Sequence, residues 1–205
     1  MRYSLRVGAA RKVSTKSRGP KLLRASESLA LGPNGSRIVV VADTHSEPHP
    51  NAYELIAREK PDLILHGGDI GSLDVVRDLE RIARTTPVRG NIDVRLPDLP
   101  DLVRLDVMRE GHRWFSLMLF HIAVAGPRLR GDAAKLAREE NATIVVCGHS
   151  HVPFIGRDRD LTIFNPGSIG PRRFHLPIVF GVMDITTERL SMKHVDCETG
   201  KDWMP

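Results

Sequence analysis

The first sustained apolar run in the chain is Ile38-Val39-Val40-Val41-Ala42, which has no polar alternation and so predicts a strand covered on both faces. Asn51 to Glu59 predicts a helix stopped at Lys60-Pro61, and Leu63-Ile64-Leu65 predicts a second buried strand, completing a βαβ unit. Leu73, Val76, Leu79, Ile82 and Ala83 fall at helical spacing, so Ser72 to Arg84 predicts another helix, followed by a short strand at Pro87-Val88-Arg89. Leu102 to Met108 and Trp114 to Phe120 read as strands around the turn Glu110-Gly111, before a helix near Asp132 to Glu140. Thr143 to Cys147 is one more buried strand, and strand-like runs at Leu161 to Phe164, Ile178 to Ile185 and Leu190 to Val195 close the chain. The class is α/β, and two sheets with helices outside satisfy the pattern.

Residues 1–36 carry no such periodicity and end in the breaker cluster Gly32-Pro33-Asn34-Gly35. They hold five Arg and three Lys against the single acid Glu27, so the net charge of +5 is concentrated there and residues 37–205 are mildly acidic. This divides the chain into a basic, flexible N-terminal extension, 1–36, and a folded domain, 37–205. An inert tail, an organelle-targeting peptide and an anion-binding arm able to hold nucleic acid are all written in such residues. At 205 residues the chain is long enough for a real core, and no stretch has the roughly 20 apolar residues of a membrane span. Two cysteines, Cys147 and Cys197, make no disulfide scaffold, so a reducing, cytoplasmic setting is the default. Nine histidines tilt the composition toward metal or acid–base chemistry.

The chemistry-bearing residues recur just after the apolar strands, where crevice residues of an open α/β sheet are expected. The first strand runs into Asp43-Thr44-His45, the second into His66-Gly67-Gly68-Asp69 and the third into Gly90-Asn91-Ile92-Asp93. Farther on, Phe120 leads into His121, and Cys147 into Gly148-His149-Ser150-His151. Carboxylates, imidazoles and one amide, with no thiolate, suit a pair of divalent ions among Mn, Fe, Ni, Co and Zn. Such a pair serves metal-assisted phosphoester hydrolysis.

On Asp43-Thr44-His45, Gly68-Asp69, Gly90-Asn91, Gly148-His149-Ser150-His151 and Asn165-Pro166-Gly167-Ser168, the chain resembles the calcineurin-like metallophosphoesterases, in particular small single-domain bacterial and archaeal phosphodiesterases. The resemblance covers about residues 37 to 195. It implies a four-layer αββα sandwich of two mixed sheets and two divalent ions, Mn foremost. One ion would sit on Asp43, His45, Asp69 and His151, and the other on Asp69, Asn91, His121 and His149, with Asp69 as the bridge. A hydroxide bridging the ions would be the nucleophile of a phosphodiesterase with some monoesterase activity. Asp69, Asn91 and His121 are the implied catalytic residues, and Asn91 and Arg172 the implied substrate contacts, with Arg173 the alternative to Arg172.

The chain departs from the family where Ile92 replaces the His that many members place after Gly-Asn, and where His121-Ile122-Ala123 replaces His-Gly-His. Asp93 reads as a turn or supporting residue, and His66 as a buried support. His49, His112, His175 and His194 read as surface residues, with His175 an outside candidate for proton donation. Neither Cys147 nor Cys197 has the neighbours of a nucleophile. Two other functions stay open on the same fold: a non-catalytic, protein-binding scaffold like a retromer subunit, and a nuclease-like enzyme holding nucleic acid through the basic extension. The expected partner is a small phosphoester, with no membrane and with pairing of edge strands into a homo-oligomer as an option.

Overall fold

Alternate residues of the valine-rich run face two different cores: Ile38 and Val40 pack on one side, Val39 and Val41 on the other. That division sets the architecture in the computed structural model, which describes residues 22–204. In chain order the elements are β1 (Arg24–Ala30), β2 (Ser36–Val41), α1 (Ala52–Arg58), β3 (Leu63–His66), α2 (Leu73–Glu80), β4 (Thr85–Pro87), β5 (Leu102–Arg109) and β6 (His112–Phe120). They continue with β7 (Val124–Ala125), β8 (Arg128–Leu129), α3 (Gly131–Glu139), β9 (Ile144–Val146), β10 (Phe154–Asp158), β11 (Leu161–Asn165), β12 (Val179–Ile185), β13 (Leu190–Asp196) and β14 (Asp202–Trp203).

Two six-stranded mixed sheets result, ordered β1-β5-β6-β9-β11-β10 and β14-β13-β12-β2-β3-β4. The sheets pack through Ile38, Val40, Leu63, Leu65, Leu105, Leu117, Leu119 and Phe164. On the outer face of the second sheet, Val39, Val41 and Ile64 meet Ile56 of α1 and Val75, Val76 and Leu79 of α2. On the outer face of the first, Met118 and Val145 meet Ala133 and Ala137 of α3. Three apolar interfaces between four layers make the αββα sandwich. Removing apolar surface from water at about 25 cal/mol per Å² at these interfaces is the main force holding the layers together. Among the described residues no helix is long and apolar enough to cross a membrane.

The predicted boundary at residue 37 is corrected. Arg24–Ala30 forms an edge strand parallel to β5, with Arg24 opposite Leu102 and Ala30 opposite Met108. The physical reason is an alternation hidden by one acid: Ala25, Glu27 and Leu29 form the inward row, and Glu27 is held there by the Thr86 hydroxyl at 2.7 Å. The remainder of the predicted extension, residues 1–21, lies outside the described residues. The third predicted strand is shifted, ending at Pro87 rather than starting there, and β7, β8, β10 and β14 carry no prediction.

The parallel run of β2 and β3 brings their C-terminal ends to one edge of the sandwich. β6 and β9, parallel neighbours in the other sheet, end at the same edge, since His121 accepts through its carbonyl from Gly148 N. β4 runs parallel to β3 and ends there too, so five loops meet where the two sheets open.

Candidate metal centre

Two groups of donors converge at that edge: Asp43, His45 and His151, and Asp69, His121 and His149. The backbone at five of these residues, Asp43, His45, Asp69, His149 and His151, lies in the left-handed region, at φ between 46° and 70°. L-residues with side chains avoid that region, so the strain is sustained by the fold around them. Glycines next to the ligands leave the space required. A Cβ on Gly90 would overlap the amide nitrogen and Oδ1 of Asp69, and one on Gly68 would come within 2.7 Å of His121 Nδ1.

Asp69 turns its two oxygens to the two groups. Oδ1 is 3.2 Å from His121 Nε2, and Oδ2 is 4.0 Å from His45 Nε2. His121 Nδ1 lies 2.7 Å from the Gly67 carbonyl. A carbonyl only accepts, so that nitrogen carries a proton and Nε2 is the ring nitrogen turned to the centre. Asn91 Oδ1 stands 3.1 Å from the same Nε2 and 2.9 Å from His149 Nδ1. Carboxylate, amide and imidazole atoms that can each ligate a divalent cation thus converge on one point. In the first group His45 Nε2 and His151 Nε2 are 3.3 Å apart, with His151 Nε2 3.6 Å from Asp43 Oδ1. The oxygen and imidazole donors, without thiolate, fit divalent ions of intermediate softness.

The electrostatics agree with that fit. Burial, assisted by the charge of Asp69, pushes the Asp43 carboxyl up to about 7. Burial also resists ionisation of Asp69, but its hydrogen bond and attraction to His121 bring it down to about 2. His151 is lowered to about 4 by burial and by Arg173, and His45 and His149 are lowered too, burial again leading. Neutral imidazoles are the form that binds metal. His121 moves the other way: although burial lowers it, its hydrogen bond to Asp69 and the nearby carboxylates raise it.

The surrounding residues hold the loops. Asp93, 2% exposed, accepts from the amides of Ile70, Gly71 and Gly90, tying the Asp69 loop to the Asn91 loop. His66 is fully buried, its Nε2 3.1 Å from the Thr44 hydroxyl and its Nδ1 accepting from Gly68 N. Cys147 and Cys197 are buried, and burial pushes both thiols up to about 12.

Arg172 does not face the centre. Its guanidinium donates to the Leu176 carbonyl and pairs with Glu198, whereas Arg173 Nη2 donates to His45 Nε2 at 3.2 Å. Of the two candidates, Arg173 is therefore the one that reaches the donor groups, while Arg172 is captured by an acid from the far end of the chain. His194 is also corrected. It is buried at 4% exposure, bonded to the Asn165 carbonyl and packed between Phe164 and Trp203. His175 is exposed. Ser168 was read only as part of a motif, but its hydroxyl donates to the Asp43 carbonyl at 2.9 Å and braces that ligand's backbone.

Residues 37–188 match the family model described as the calcineurin-like phosphoesterase superfamily domain. The chain is 31% identical over 162 residues to a probable metallophosphoesterase of Methanothermobacter thermautotrophicus, covering 75% of this chain and 88% of the relative. Among solved structures it resembles Vacuolar Protein Sorting 29 from Cryptosporidium parvum, with a TM-score of 0.68 and 21% identity over 83% of this chain and 95% of that one. It also resembles an archaeal phosphodiesterase, with a TM-score of 0.57 and 19% identity over 78% of this chain and 99% of the other.

Proposed function

Since the chain belongs to the calcineurin-like phosphoesterase superfamily, we propose that it is a metal-dependent phosphodiesterase with two divalent ions in its crevice. The observation that carries this reading is Asp69, with one carboxylate oxygen toward each donor group. Asp43, His45, Asp69 and His151 would hold one ion, and Asp69, Asn91, His121 and His149 the other. When bound, such a pair supplies positive charge for phosphoryl oxygens and acidifies water at neutral pH.

The side chains divide the remaining work. The Gly67 carbonyl engages Nδ1 of His121, which leaves Nε2 as the nitrogen that would ligate. Asn91 adds a neutral oxygen between two imidazoles, keeping the second group from accumulating a further negative charge. Arg173 reaches His45 from an exposed loop, and its planar fork suits two non-bridging oxygens of a phosphodiester. Ile92 donates its amide to Asp69 Oδ1 at 3.1 Å, but its side chain has no proton for a leaving group. The archaeal neighbour of known structure is a phosphodiesterase by its own description, which supports the diester reading.

The test is hydrolysis of bis(p-nitrophenyl) phosphate and p-nitrophenyl phosphate by metal-stripped protein with and without added Mn, beside His121→Ala. Metal-dependent turnover favouring the diester, and lost in the variant, is the expected result. No turnover with Mn, Fe, Ni, Co or Zn overturns the reading and leaves the protein-binding scaffold.

A further inference from the structure

We propose that the loops carrying the centre recognise an aromatic substituent of the phosphoester, with Phe174 as its stacking platform. This rests on reading the centre as a phosphoester site. Seven large hydrophobic side chains are exposed among the described residues, and four of them lie within three positions of a residue facing the centre. Ile92 and Val94 follow Asn91, Val152 follows His151, and Phe174 follows Arg173. Single exposed apolar residues are ordinary, but four in the loops that carry Asn91, His151 and Arg173 are a candidate contact surface for a ligand. The three loops are joined at the centre: Asn91 touches His149, His151 touches His45, and His45 touches Arg173.

Phe174 is the least buried of the four, at 89% exposure. It sits on a pinned loop: Leu176 N donates to the Arg173 carbonyl, Arg172 donates to the Leu176 carbonyl, and Arg172 pairs with Glu198. Its φ of 51° is in the left-handed region, where a bulky side chain is an outlier. Folding therefore gains neither a relaxed backbone nor a buried ring at this position. A ligand supplies what folding does not. With phosphoryl oxygens beside Arg173, a ring attached to the phosphorus is delivered to the next side chain along the loop. Aryl and nucleoside phosphoesters share that chemistry.

The experiment is calorimetric titration of the Mn-loaded full chain with phenylphosphonate and ethylphosphonate, whose P–C bonds are not hydrolysed. The phenyl ligand is expected to bind about tenfold tighter, within the range for stacking on a single aromatic side chain. In Phe174→Ala the ratio falls to near one, and in Phe174→Trp the preference is kept. Equal binding of the two ligands by the unaltered protein, or a preference that survives Phe174→Ala, overturns the proposal. The readout needs no turnover, so inactivity toward diesters and loss of aromatic preference are separate results. Adding the 5′-methylenephosphonate analogue of thymidine 5′-phosphate, whose P–C bond is not hydrolysed, distinguishes a nucleobase from an aryl group as the source of the ring.

Discussion

The two halves of the centre are built from the same residue types, yet they solve opposite electrostatic problems. Asp69 is ionised without help from an ion, because His121 and the Ile92 amide attend its Oδ1. Asp43 is buried, its carboxylate accepts from the His149 amide, no Lys or Arg pairs with it among the described residues, and burial pushes it up to about 7. Beside it His151 has a buried Nδ1 with no hydrogen-bond partner among the described residues. One carboxylate is ionised by an imidazole and an amide beside it, whereas the other has only an amide and is kept near neutrality by burial.

The largest expected effect comes from removing what the halves share. Asp69→Asn should lower diester turnover by more than the roughly 100-fold typical of losing a supporting group, and Mn titration should show both sites weakened together. If only one site weakens, Asp69 is not the bridge. A sharper test sets His151→Ala against His149→Ala. His151 is 2% exposed, while His149 faces solvent and water can replace its ring. His151→Ala is expected to cost about 100-fold in Mn affinity, and His149→Ala about tenfold.

The two carboxylates also give opposite signs in the metal-free protein. Asp43 is raised from 3.8 to about 7 on folding, so the native state holds the extra proton and stability falls as pH rises through that interval. Asp69 is lowered to about 2, so its contribution is present above the unfolded value of 3.8 and is lost as pH falls toward 2. Metal-free Asp43→Asn is therefore expected to be more stable than the unaltered chain above pH 7, on the order of a few kcal/mol, by denaturant titration. With Mn added the order should reverse. The smallest expected effect is at Arg172, whose ion pair with Glu198 is solvent-exposed. Arg172→Ala should change stability by about 0–1 kcal/mol and leave diester kinetics unaltered, whereas Arg173→Ala should raise KM for the diester.

Much of this centre was legible because its ligands sit immediately after short β-branched runs, where register is set locally by the alternation of two buried faces. The departures have longer-range causes. β1 was hidden because Glu27 occupies an inward position made tolerable by the Thr86 hydroxyl, 59 residues away, and by Arg84. Nothing in Arg172-Arg173 says which arginine turns outward until Glu198 captures one of them. β10 is short, exposed on alternate residues and interrupted by Gly156, whose missing Cβ leaves room for the Phe154 ring. Asp93 was recognised as a supporting residue, but its three backbone partners lie on loops that only the folded sheet brings together.

The parallel pairing of β1 bears on how the molecule can be handled. Leu23 exchanges hydrogen bonds with Asp101, and the next row aligns Arg24 with Leu102 and Leu102 with Phe120, which precedes His121. Two strand spacings, about 10 Å, separate the start of β1 from that histidine. β14 instead is the outer strand of the other sheet and runs away from the crevice edge, antiparallel to β13. An affinity tag, fluorophore or fused domain joined ahead of Leu22 is thus anchored at the mouth of the crevice, while one joined after β14 is carried clear of it.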